Sequence, residues 1–377
     1  MVETLVLAGI IAAVIVWWRI SHRRPHSSRP APLAYTRPPS LGSPGIPLDD
    51  QAGYPAGNAA LAAKVRQQAF DTFDRFGPGG DPQILADAAE GFRRAADLSA
   101  AGDPRKARDL VHVSTVLQQF YDETTELWAL NDAVAAARAA LEAGPDEETR
   151  GNALLRLGIC LHSKFGATKE SGPLAESADV LRTAAAMATP ARPLSMASFY
   201  HLAAALHSRY DATHDPSFLE EAVAAGRRAA QNADPLQVPA ICQLVCHLRE
   251  LSGVREDPAV AREAEAVARH GVRLTASAGP EEQSWCLFEL ARALENLGLR
   301  TGSVDYLREA VDTVDEAVRR TQDPIDRHLR GAVGTGMVAI LRRQLQPASD
   351  PAGEPAEGPA SAYDDRPPPP PPLDATG

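Results

Sequence analysis

Residues 157–166 read LGICLHSKFG, and residues 202–211 read LAAALHSRYD. Laid over each other, the two stretches share Leu157 with Leu202, Leu161 with Leu206, His162 with His207, Ser163 with Ser208, and an aromatic ring at Phe165 and Tyr210. Agreement at a fixed offset marks an internal repeat, and a repeat of this length is one supersecondary unit that must stack on its neighbours to hide its apolar face. Small residues recur outward from this pair as anchors at Ala88, Ala133, Ser177, Ala222, Ala264 and Ala310. Their spacing gives six units with a period of about 45 residues.

Each unit has the same grammar. A first helix ends near an aromatic or large apolar residue: Phe76, Tyr121, Phe165, Tyr210, Leu251 and Leu297. A polar loop follows, with an acid seven residues before the anchor at Asp81, Glu126, Glu170, Asp215 and Asp257. These acids are read as helix caps, because a short carboxylate satisfies amide groups that have no partner in the first turn. A second helix carries the anchor, where a small side chain lets helices approach. A proline is read as closing each unit, at Pro104, Pro145, Pro190, Pro235, Pro280 and Pro324, because proline cannot continue a helix. Ala and Leu fill most apolar positions and aromatics are only 5% of the chain, which favours closely packed helices over strands.

The pattern Leu157-Gly158-x-x-Leu161, with a small anchor, a later Ala and the proline, resembles the tetratricopeptide repeat. That repeat is usually about 34 residues long, and the extra length here is assigned to a longer loop between the two helices. The run Arg209, Tyr210, Thr213, Asp215, Leu219, Glu221, Ala222, Arg227, Arg228, Ala229 is similar to the long tetratricopeptide repeats of actinobacteria. Those often accompany caspase-like CHAT protease or nucleotide-binding signalling ATPase domains. The resemblance covers residues 58–345 and weakens in the last two units, where Leu251 and Leu297 replace the aromatic and Ser303 the acid. It implies an all-α fold, an α-solenoid in a right-handed superhelix of about six helix pairs. The chemistry of the protease and ATPase relatives is not expected, since no such domain accompanies the repeats.

Residues Leu5 to Trp18 are uncharged and apolar, and Arg19, Arg23, Arg24 and Arg29 follow. Counted from Met1 to Ile20, the run is just long enough for a transmembrane helix, and the positive charges after it place the rest of the chain in the cytoplasm. No positive charge precedes the run and no small-x-small cleavage site follows, which argues against a signal peptide. Residues 21–57 form a Pro-, Ser- and Arg-rich linker. Residues 346–377 are read as a disordered acidic tail, with a polyproline stretch at Pro367–Pro372 that would suit an aromatic-lined groove.

The formal charge of −11 disfavours nucleic acid as a partner, since that surface needs clustered Lys and Arg. Four cysteines, Cys160, Cys242, Cys246 and Cys286, are too sparse for a disulfide framework and are expected buried and reduced. Cys242 and Cys246 have one-turn spacing, but Cys246 falls where Ala204 does, so both are read as packing residues and no metal ligands are assigned. The basic pairs Arg93-Arg94 and Arg227-Arg228 are read as a solvated face. Gly334 and Gly336 lack the Lys-Ser or Lys-Thr of a phosphate loop.

The expectation is therefore a membrane-anchored, non-enzymatic scaffold without a cofactor. It would bind a peptide or helix of a protein partner in the concave groove of its first helices. The candidate groove residues are His162, His207, Tyr210, Phe165 and Arg209. Two other readings fit less well: a regulatory subunit or enzyme using a metal or nucleotide, and an extracytoplasmic envelope scaffold of opposite topology.

Overall fold

A computed structural model describes residues 59–345, apart from residues 78, 189–192 and 232–235. The expected span over residues 1–20, the linker over 21–57 and the tail over 346–377 lie outside the described residues, as do Pro190 and Pro235. Among the described residues no helix is long and apolar enough to cross a membrane.

The described residues form thirteen helices and no strand. They alternate in kind. The first helices are α1 (Ala59–Phe73), α3 (Pro104–Thr124), α5 (Glu147–Thr168), α7 (Pro193–Thr213), α9 (Gln237–Arg255) and α11 (Pro280–Thr301). The second helices are α2 (Gln83–Leu98), α4 (Leu127–Glu142), α6 (Ser171–Ala186), α8 (Pro216–Ala230), α10 (Pro258–Leu274) and α12 (Val304–Arg320). A thirteenth helix, α13 (Pro324–Leu345), completes the array. The expected six pairs are present, and α13 adds a seventh first helix. Residues 331–336, GAVGTG, lie inside it.

Two expectations about punctuation are corrected. The loop inside the unit is short, not long, in every unit but the first, where residues 74–82 join the helices. In units two to six the two helices are joined by two residues only: Thr125-Glu126, Lys169-Glu170, His214-Asp215, Glu256-Asp257 and Gly302-Ser303. The extra length of the repeat lies in first helices of 19 to 22 residues. The first residue of each turn is left-handed, with φ of 61°, 62°, 56°, 52° and 68° in order. Its amide closes the helix on the carbonyl four residues back, which in units two to four belongs to the recurring aromatic: Tyr121 at 2.7 Å, Phe165 at 2.8 Å, Tyr210 at 2.7 Å. One left-handed residue reverses the chain and leaves the next in position to start a helix. Helices this long, packed along each other and joined so tightly, must run antiparallel.

The second correction concerns proline. Pro104 and Pro280 sit in the first turns of α3 and α11, and Pro324 opens α13. Proline therefore starts the next unit, where its missing amide costs nothing. Pro145 lies in the loop before α5. The capping acids divide. Asp81, Asp215 and Asp257 accept the amides of Gln83 (2.9 Å), Ser217 (2.9 Å) and Ala259 (2.7 Å). Glu126 and Glu170 occupy the same place without a capping bond, because the longer side chain overshoots. Ser303 makes none either. Phe76, expected at a helix end, lies beyond α1.

The anchors are the tightest points of the stack. Ala88, Ala133, Ser177, Ala222, Ala264 and Ala310 are all 0% exposed. In unit three the contact is visible atom by atom. Ser177 Oγ donates to the carbonyl of Gly158 at 2.7 Å, and a Cβ on Gly158 would lie 2.4 Å from Cγ of Leu181. Gly158 is thus required by the approach of α5 and α6. Around the anchors the core falls into three successive clusters, one around Phe92 and Phe120, one around Leu181 and Leu206, and one around Leu248 and Leu294.

Successive first helices also touch one another, α3 with α5, α5 with α7 and α9 with α11, more closely than second helices do. The second helices are instead spanned by long side chains in a repeating ion-pair ladder. Arg138 reaches Glu176 (2.6 Å), Arg182 reaches Glu221 (2.5 Å), Arg227 reaches Glu263 (2.7 Å) and Arg269 reaches Glu309 (2.7 Å). Each arginine is five residues after its anchor, and each glutamate is one residue before the next unit's anchor. Arg227 is therefore a junction residue, not one of a merely solvated pair. Its partner Arg228 lies over the ring of Phe199. The first-helix side is therefore the more closely packed side of the stack.

The turns give a direct test. Lys169→Gly relieves a left-handed conformation that L side chains disfavour, and is expected to stabilise the array by about 1 kcal/mol in urea melts. Gly302→Ala is expected to cost about 1–2 kcal/mol at the matching position. Equal effects of opposite type, or none, would mean the turn residues are not left-handed.

Candidate functional site

Counting back from the left-handed turn residue puts the first helices in common register. Seven residues back stand Gln118, His162, His207, Arg249 and Glu295. Thirteen back stand His112, Arg156, His201, Gln243 and Glu289. These polar rows lie on the first helices, among otherwise apolar helix contacts. In the same register Ser252 and Gly298 replace the aromatic, while Leu251 and Leu297 fall one residue earlier and are buried.

The seventh-position row is linked from unit to unit. His162 Nε2 meets Ser208 Oγ at 2.9 Å. His207 Nε2 meets Glu250 Oε2 at 2.5 Å. Arg249 Nε donates to the carbonyl of Arg292 at 3.2 Å. His162 and His207 hold the same register, and both imidazoles are engaged with the next unit. Burial drives the His162 imidazole down to about 4. Burial also opposes charge on His207, yet the bond to Glu250 and the charge of Asp211 and Glu250 hold it above its usual value. His247 stacks on His207 with ring centroids 4.6 Å apart. It is 2% exposed, and burial pushes it well below the ordinary range, so it stays neutral.

The other three candidates are dispersed. Arg209 lies 4.0 Å over the ring of Phe218 on the second helix of its own unit. Phe165 lies under the ammonium group of Lys169 at 5.3 Å. Tyr210 is partly buried against the last core cluster and stands 6.4 Å from His207. The structure does not gather these side chains into the histidine row.

Several groups on this face were not singled out from sequence. Arg156 on α5 is half-buried, and among the described residues it has no ion pair, hydrogen bond or ring contact; burial lowers its pKa. Glu289 is 6% exposed with Oε2 unpartnered, and its closest cation is Arg249 Nη1 at 4.0 Å. Burial pushes its carboxyl up. Asp122 is held up at about 6 by its surroundings and by Glu123. The signal for Arg156 and Glu289 was the count of thirteen back from the turn residue, which requires knowing where the turn is.

The cysteines are free. Cys242 Sγ lies 3.9 Å from Cys286 Sγ of the next unit, and burial raises the Cys246 thiol to about 11. Among the described residues no cysteine joins a group of metal-binding side chains.

No family model matches the chain, and no curated protein does. Solved structures do. A protein described as YrrB, a TPR protein with an unusual peptide-binding site, is 17% identical over 66% of this chain and 99% of its own, with a TM-score of 0.42. The S. pombe nuclear import adaptor Nro1 is 14% identical over 75% of this chain and 98% of its own, at 0.43. A putative kinesin light chain from Podosopora anserina with nearly identical TPR-like repeats is 19% identical over 56% and 96%, at 0.37. These scores are too low to carry an argument about the chain, and the fold rests on the helix pairs described above.

The histidines give a test by NMR titration. As the pH falls, His207 is expected to take up its proton already above about 6.5, the free value, and His162 only near pH 4. Because the unfolded chain protonates His162 first, its burial contributes stability above about pH 6.5 that is lost as the pH falls toward 4. His162→Gln should shrink that acid loss. Coincident titration of both rings near 6.5 would contradict the burial described.

Proposed function

We propose that the chain is a tetratricopeptide-type scaffold that holds a segment of a partner protein along the concave face of its first helices. One observation carries this reading: Arg156 stands on the first helices half-buried and, among the described residues, without a counter-charge. An arginine kept this way is costly unless something meets it. A partner segment presenting an acidic or carbonyl group would pair with it. The convex side offers less, since the ladder of Arg138, Arg182, Arg227 and Arg269 already spends its charges on glutamates. The six pairs would wind into a right-handed superhelix of the long actinobacterial type. The reading is that of a non-enzymatic scaffold.

We also propose that Leu5 to Trp18 anchors the chain in the membrane with the array on the cytoplasmic side. The support is the apolar run followed by Arg19, Arg23, Arg24 and Arg29. The net charge of −11 would repel the body of the protein from anionic lipid, so the run must carry attachment.

Two outcomes test these readings. A partner captured on residues 58–345 and identified by cross-linking should lose about tenfold or more in affinity with Arg156→Glu, as truncating or reversing a buried charge does, with the melting temperature unchanged. An unchanged affinity would remove Arg156 from the interface. Deleting residues 2–20 should move the protein to the soluble fraction, while carbonate should leave the full chain in the membrane. Carbonate release of the full chain would mean the run lies in the interface and does not cross it.

A further inference from the structure

We propose that His207, Asp211 and Glu250 form a binding site for a divalent transition-metal ion at the junction of units four and five. His207 and Asp211 are four residues apart on α7 and so share a face. Glu250 comes from α9 in the next unit. One donor atom from each of the three lies within 4.8 Å of the others. His207 directs Nε2 to Glu250 and has Nδ1 3.7 Å from Asp211 Oδ2. The second distance is too long for a hydrogen bond, so the Asp211 carboxylate stands beside the ring without being bonded to it.

The neighbouring unit shows that packing does not need this arrangement. At the same register in unit three, Gly166 stands where Asp211 does and the imidazole of His162 rests on the hydroxyl of Ser208. That junction is built from one histidine and one neutral group. The junction after it adds two carboxylates around the equivalent histidine. Their side chains stay reachable, with 57% of Asp211 and 35% of Glu250 exposed against 24% of His207. No arginine or lysine pairs with Asp211 or Glu250 among the described residues.

The donor set decides the class of ion. One imidazole and two carboxylates suit zinc, cobalt, manganese or nickel better than magnesium or calcium, which prefer oxygen alone. Two carboxylates and a neutral ring carry two negative charges, which balance a divalent cation. The ion would displace the proton on the donor nitrogen of His207, and water would fill the remaining positions on the exposed side. His247, buried, neutral and stacked on His207, adds no positive charge to repel the ion and holds the ring's orientation. A metal here would cross-link two units and stiffen the array between them.

The experiment is titration of the full-length chain with cobalt chloride, read by visible absorption and calorimetry, then repeated with zinc and magnesium. One equivalent of cobalt is expected to bind saturably, to be displaced by zinc and not by magnesium, and to raise the melting temperature. Glu250→Gln keeps a hydrogen bond to His207, and Asp211→Asn changes an exposed group, so both variants should fold. Each should weaken binding by about tenfold or more. Absence of saturable binding would overturn the site. Binding that survives both substitutions, or a sulfur-to-cobalt charge-transfer band that places the ion on Cys242 and Cys286, would overturn it equally.

Discussion

Everything in this array depends on how near two helices come at one position per unit. The six anchors have no exposed surface, and none is larger than serine. A helix pair of this kind has an apolar stripe that it cannot cover alone, so each unit is stable only against its neighbours. The close approach at the anchors makes that contact extensive, and Gly158 shows how little room is left, since one added carbon would occupy the space of Leu181. Interiors packed at such density transmit any misfit to the next layer.

The anchors, their period and the class of fold were legible in the sequence, because a small residue flanked by apolar ones on a helix has little other use. The order of first and second helices was legible for the same reason. Punctuation was not. Pro104, Pro280 and Pro324 were placed at the ends of units when they begin the next, because the same residue fits either side of a boundary and its missing amide is harmless only in a first turn. The loop was judged long because the period is long. The residues that make it short, Thr125, Lys169, His214 and Glu256, carry no glycine to announce a left-handed turn.

The site was legible only in part. His162 and His207 stood out because the LHS motif is repeated, and the register is real. Their partners were hidden, since Ser208 and Glu250 come from the following unit and are neighbours only after stacking. Arg209 and Tyr210 belonged to the same conspicuous motif, yet successive residues on a helix point a hundred degrees apart, and Arg209 turns to Phe218 instead. A motif read along the chain mixes faces that a helix separates.

The ladder along the second helices has a mechanical side. Its four junctions are tied by arginine–glutamate pairs whose side chains are about half exposed, for instance 51% and 41% for Arg138 and Glu176. Ties of that kind fade with ionic strength, since the screening length is about 8 Å in physiological salt. The opposite seam is held mainly by buried helix contacts, with a few charged pairs such as Arg66–Asp109 and His207–Glu250 among them. The spine is thus fastened by two materials, one on each side, and the second-helix one yields more to salt. Its bending stiffness has a direction: the curve can open or tighten along the second-helix edge while the first-helix edge keeps its spacing.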